Sequence, residues 1–221
     1  MPSARVFVPK RMGHTVTVDE TAALFTRRDG QYLFARWGRA IVPVVFGVTD
    51  ETLAVMKGAL TAVVAMAGHE MAEADPELGA NLMIFFCSDW AELPKVPNLD
   101  RLIPDLALLC DRLTAADANQ YRIFRFDTAG AIKAAFVLLR MDDNLSAVSA
   151  DVLALSQAVQ IIVLWSDCAF EGRSAIVDVG MGAQLRTHIG AVIRAGYASV
   201  LPPMARDPSH ALRLFARMAA T

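Results

Sequence analysis

Tyr121–Asp142 reads YRIFRFDTAGAIKAAFVLLRMD, and Ser146–Asp167 reads SAVSADVLALSQAVQIIVLWSD. The first stretch holds two runs rich in aromatic and aliphatic residues, Tyr121–Asp127 and Ala131–Arg140, joined across Asp127-Thr128-Ala129-Gly130. Gly130 can take the left-handed position of a short loop, so the pattern predicts a hairpin. The second stretch places Ser149 as a cap before an apolar run too continuous for a helix with one wet face. It predicts the longest helix of the chain, crossing the middle of the fold. Together they point to an α+β fold, with a mixed or antiparallel sheet of about five strands and four to five helices packed on it.

Towards the N-terminus, Asn81–Phe86 (NLMIFF) is a short, wholly apolar run and reads as a strand buried on both faces. Before it, Thr49 opens a helix whose Leu53, Met56, Leu60, Val63, Val64 and Ala67 form one stripe, stopped by Gly68. Gln31–Val48 reads as extended chain broken at Gly38 and Pro43. A proline cannot donate to a ladder, so that strand belongs at a sheet edge or carries a bulge. Asp19–Arg28 begins a short helix, and Arg5–Pro9 and His14–Val18 read as short strands of an N-terminal arm over residues 1–30. The rest, 31–221, reads as one domain.

Between the NLMIFF strand and the hairpin, Asn98 or Asp100 starts a helix with Leu102, Ile103, Leu106, Leu109, Cys110 and Leu113 on one side. Beyond Asp167, Gln184–Tyr197 reads as an amphipathic helix with Leu185, Ile189, Val192 and Ile193 inside. Asp207-Pro208 starts a last helix carrying Leu212, Leu214, Phe215 and Met218.

Apolar residues make up 55% of the chain and charged residues 20%, below the ~25% usual for soluble domains. This composition argues against disorder and brings a subunit or partner interface into consideration. The net charge of -2 gives no pull towards nucleic acid or an anionic membrane. Three widely spaced cysteines in apolar contexts fit a reducing compartment. The first residues lack the apolar run of a secretory signal, and no window approaches the ~20 residues of a membrane span. The expected setting is bacterial cytoplasm, with no cofactor implied.

The nearest approach to a metal motif is His69-Glu70-Met71-Ala72-Glu73. A zinc peptidase helix needs histidines at i and i+4, but the second position is Glu73, and Gly68 has already ended the helix. An exposed loop is the plainer reading. Cys168 beside His188 or His210 would form a nucleophile pair, against a structural thiol at a helix end. Val179-Gly180-Met181-Gly182 lacks the third glycine and the Lys-Ser/Thr of a phosphate cradle. Arg206, Arg213 and Arg217, with Arg186 and Arg194, could make a face for an anionic partner, against a solvated helix face. Trp37, Trp90 and Trp165 do not interleave with basic residues, so they read as core or interface anchors. Gln157 and Gln160 interrupt the buried helix, and a buried amide requires partners; backbone groups of the core are the expected ones.

Arg36-Trp37 followed by IVPVVFGV, the helix to Gly68-His69, the NLMIFF strand, AIKAAFVLLRM and a helix containing LSQAV together resemble a proteobacterial family of unknown function. Its members carry a zincin-type pattern, with an RW…P…V.V.G strand and a later helix of the form Glu-Glu-Leu-Thr-Gln-Ala-Leu-Gly. The resemblance covers about Arg36–Tyr197. Where that pattern has paired glutamates this chain has Leu153 and Ala154, and Gln160 replaces the glycine. An aliphatic side chain neither accepts a proton nor holds a hard cation, so any carboxylate-dependent chemistry is lost here.

Two functions are therefore expected. The first is a non-enzymatic domain that binds another protein or assembles with itself. The alternative is a hydrolase-like enzyme with a divergent metal-dependent site at His69, Glu70 and Glu73.

Overall fold

The computed structural model of the protein describes residues 16–178 and 182–219. The strand expected over Arg5–Pro9 and most of the Val179–Gly182 turn lie outside them. The chain is α+β. In order it forms α1 (Val18–Ala23), β1 (Phe34–Ala35), β2 (Pro43–Phe46), α2 (Asp50–Met66), β3 (Leu82–Cys87) and a 3-10 segment at Trp90–Lys95. Then come α3 (Leu99–Leu102), α4 (Leu106–Ala115), β4 (Gln120–Phe126), β5 (Ile132–Arg140), α5 (Asp143–Ser146) and α6 (Ala150–Ile162). The last elements are β6 (Ile176–Asp178), β7 (Ala183–Leu185), α7 (Thr187–Gly196), β8 (Met204–Ala205) and α8 (Ser209–Met218). No helix among the described residues is long and apolar enough to cross a membrane.

The main sheet is mixed, in the order β2-β3-β5-β4. β2, β3 and β5 run parallel, and β4 returns antiparallel to β5 through the turn that Gly130 closes at φ 80°. β2 lies at one edge, where Pro43 costs no ladder bond. β3 is central and apolar on both faces, as its unbroken apolar run predicts. Alternation sorts its side chains. Leu82 and Ile84 of β3, with Ala135, Val137 and Leu139 of β5, face α2 and α6 in the larger core. Phe85, Cys87, Phe136 and Leu138 face the 3-10 segment, α3 and α4 in a second core.

Thr49 caps α2 by accepting the Thr52 N–H, and Gly68 ends that helix at φ 66°. In the described part of the N-terminal segment, Thr17 and Glu20 cap α1 reciprocally, so the strand expected to reach Val18 is replaced by a helix start. That segment buries Thr21 and Phe25 completely, Phe25 stacking on Trp165 at 5.3 Å between ring centroids.

Four expected elements differ in extent. α6 stops at Ile162 rather than running to Asp167, and α2 is the longest helix. Beyond Ile162 the backbone is drawn into extended pairing, with Leu164 N–H donating to Ala35 O at 2.8 Å and Ser166 N–H to Leu24 O at 2.9 Å. The helix expected from Asn98 is split at Pro104-Asp105, which leaves Leu102 on the surface. Ala183–Leu185 pairs with β6 instead of opening α7. In α8, Leu212 faces solvent, and His210, Ala211 and Leu214 fill the inner stripe.

Candidate functional site

α6 crosses the sheet face on which the even-numbered residues of β4 lie, and the three polar groups meeting there are Gln120, Arg122 and Gln157. Gln157 is fully buried. Its Oε1 accepts from Arg122 Nη2 at 2.6 Å, and its Nε2 donates to Gln120 Oε1 at 2.9 Å. Arg122 Nη2 also donates to Gln120 Oε1, at 3.0 Å. The expectation that Gln157 serves backbone groups is therefore corrected. α2 and α6 satisfy their own backbones, and the amide is left to solvate a cation.

No carboxylate reaches Arg122 among the described residues. Its Nε is sealed from solvent without an acceptor, while Nη1 has no hydrogen bond and is not sealed. Burial alone lowers the Arg122 pKa to about 10, which leaves it a cation at neutral pH. A half-buried guanidinium held by two neutral amides is costly, because only charge-assisted bonds to an anion would return the hydration it has lost.

Arg122 lines a groove of about 780 Å³ that runs between β4 and the segment after α6. Phe124, Leu164, Trp165 and Phe170 supply its apolar wall, and Gln160, Ser166, Arg27, Asp167 and Glu171 supply polar groups. The two acids are engaged elsewhere: Asp167 accepts the Arg28 N–H and Glu171 pairs with the Arg28 guanidinium. Gln160 donates to Ser156 Oγ at 2.9 Å, within its own helix.

The other residues named from the sequence do not build a site. His69 lies past the helix stop, half-buried, its Nε2 2.8 Å from Arg39 O and its ring 5.1 Å from that of Tyr197. Burial lowers its pKa, so it stays neutral. Glu70 and Glu73 are exposed, and no group of three or more His, Cys, Asp or Glu side chains comes within reach of one metal ion among the described residues. Cys168 contacts Ser166 Oγ and Thr26 O, each at 3.6 Å. It shares a second cavity, about 740 Å³, with His188, while His210 is committed to Tyr32 at 2.8 Å. Arg206, Arg213 and Arg217 are all exposed, with Asp207 close enough to Arg213 for that charge to help lower its carboxyl pKa.

Trp37, Trp90 and Trp165 are buried, each indole N–H donating to a backbone carbonyl, at 2.8, 3.0 and 2.8 Å. Tyr197, which looks exposed in the sequence, donates its hydroxyl to Ile162 O at 2.7 Å and carries the Arg36 guanidinium over its ring. Leu153 and Ala154 line a small apolar cavity of about 270 Å³ beyond the carboxyl ends of β2 and β3.

Arg122 escapes a sequence reading because YRIFRF places Arg122 and Arg125 like ordinary charges of a half-wet strand. The available signal was parity: Arg122 shares a face with Phe124, and the helix that covers that face carries Gln157 in an apolar run. Comparison of the chain with protein-family models, with curated proteins and with solved structures finds no match.

Proposed function

We propose that the chain is a non-enzymatic self-assembling domain, in which a second copy pairs along the outer edge of β4. The observation that carries this reading is the open edge itself. β4 is seven residues long, ends the main sheet, and no described segment bridges to its outer side. Such an edge is a template for another strand unless it is blunted. Arg140 N–H donates to Asn119 O, directly opposite, so the residues of β4 alternate in the antiparallel ladder. Tyr121, Ile123 and Arg125 bond inward to β5, and the backbone groups of Arg122 and Phe124 point outward.

Side-chain chemistry selects a two-fold pairing centred on Ile123. In that register Tyr121 of one copy stands opposite Arg125 of the other, twice, and Arg122 stands opposite Phe124. No like charges meet, and each Tyr–Arg pair adds a cation–π contact. A pairing centred on Arg122 would set the two Arg122 cations against each other. Tyr121 and Phe126 are also among the exposed large apolar side chains. The thiols of Cys87 and Cys110 are free and buried, which supports a cytoplasmic setting. The hydrolase-like alternative needs a ligand set that His69, Glu70 and Glu73 do not form.

Native mass spectrometry with sedimentation equilibrium tests the reading. The chain is expected to form a dimer. Tyr121→Lys, at an exposed position, sets lysine against Arg125 at both ends and is expected to give a folded monomer. Adding Arg125→Glu to Tyr121→Lys is expected to restore the dimer. A chain that stays monomeric at every concentration, or a dimer indifferent to both substitutions, overturns it.

A further inference from the structure

The groove beside Arg122 borders the same β4 edge, since Tyr121 and Ile123 line it along with residues of the α6 face, so a ligand there and a second copy on β4 share one surface. We propose that this groove binds a small organic carboxylate with an apolar body, the carboxylate on Arg122 and the body against Phe124, Leu164 and Phe170.

Three observations carry this. First, the guanidinium has no anionic partner among the described residues, yet two amides hold it in place: Gln157 and Gln120 both bond Nη2, and Nη1, on a residue that lines the groove, has no acceptor and is not sealed from solvent. A side chain fixed by neutral neighbours and open on one side is arranged to receive an anion without reorganising. Second, the groove volume of about 780 Å³ falls within the ~300–1,000 Å³ of small-molecule sites, and its lining sets aromatic and aliphatic side chains beside polar ones in about equal measure. Third, the charge balance selects a monoanion. Arg122 and Arg27 are the cations lining the groove, Asp167 and Glu171 line it as well, and Arg28 offsets Glu171, which leaves one positive charge for a monoanion and none for the second charge of a phosphate dianion.

The test uses the full-length protein with benzoate and hexanoate as probes, benzamide as the uncharged counterpart of benzoate, and inorganic phosphate. Binding is followed by the 15N resonance of the Arg122 Nε–H and by Trp165 fluorescence. Benzoate or hexanoate is expected to shift both signals saturably, with a Kd of about 1 mM or tighter. Benzamide is expected to bind at least about tenfold more weakly, and phosphate to leave both signals unmoved. Arg122→Lys keeps the charge but loses the planar fork, and is expected to weaken the carboxylate at least about tenfold with unchanged circular dichroism. Where that variant does not fold, the wild-type Nε–H resonance alone decides. No shift with either carboxylate, equal binding of benzamide, or binding of phosphate in preference overturns the proposal.

Discussion

Gln157 is the residue on which the polar cluster turns, and with Gln160 it is one of the two polar positions of the central helix that the sequence marks out. Its neighbourhood is not readable in the same way. That Gln157 is buried follows from the apolar run around it, whereas its partners Gln120 and Arg122 lie some thirty-five residues away on a strand whose charges look solvent-facing. Removing the amide while leaving the cation has a definite cost. Gln157→Leu is expected to lower unfolding free energy by about 2 kcal/mol in urea titration, because Arg122 then lacks its shortest bond at a half-buried site. Adding Arg122→Leu is expected to return most of that loss, since an apolar pair leaves nothing unsatisfied. His210 gives a second test. Buried against Phe34 and paired with Tyr32, it titrates at about 4 rather than near 6.5, chiefly through burial, with Arg213 adding to the shift. Its folded pKa lies below its unfolded value, so the neutral ring stabilises the fold above pH 6.5, and that contribution fades as pH falls towards 4. His69 shifts in the same direction, while the lowered carboxylates Asp75, Asp142 and Asp207 lose their contribution only at lower pH. Unfolding free energy is therefore expected to fall by about 2 kcal/mol between pH 7 and 5, and His210→Gln to flatten most of that slope.

Elements whose signals are local were legible, and those that depend on distant pairing were not. Pro43 put β2 at an edge, Thr49 and Gly68 bounded α2, and Gly130 closed the hairpin, each through its own backbone chemistry. The end of α6 was not legible. Residues 163–165 are as apolar as the helix before them, and only the backbones of Leu24 and Ala35, docked alongside, pull the segment into extended chain. The β2–α2 connection offers a test at this scale. Gly47 sits at φ 80°, and an added Cβ would lie 2.2 Å from Phe86 O, which is backbone of the neighbouring strand. Gly30 has a similar φ, 83°, with nothing within 4 Å. Gly30→Ala is expected to cost about 1 kcal/mol, the conformational penalty alone, whereas Gly47→Ala adds a collision with the sheet and is expected to cost about 3 kcal/mol or more. Chemical denaturation of the two variants side by side reads the difference.

Across the whole molecule, the four-stranded sheet is covered on both faces, by α2 and α6 on one and by α3 and α4 on the other, so its remaining exposure is at its edges. β2 is short and begins with proline; β4 is longer and carries both the outward-facing backbone and the groove. The high apolar fraction raises the expectation of an interface without naming a surface for it, because an edge is defined by strand order, and strand order comes from crossovers that composition does not encode. The most direct observation is amide hydrogen exchange at Arg122 and Phe124, measured over a range of protein concentrations. Self-pairing predicts that these two outward N–H groups become protected as concentration rises, while exposed amides elsewhere on the surface do not change. Rapid exchange of both at concentrations where the protein is assembled would contradict pairing through β4.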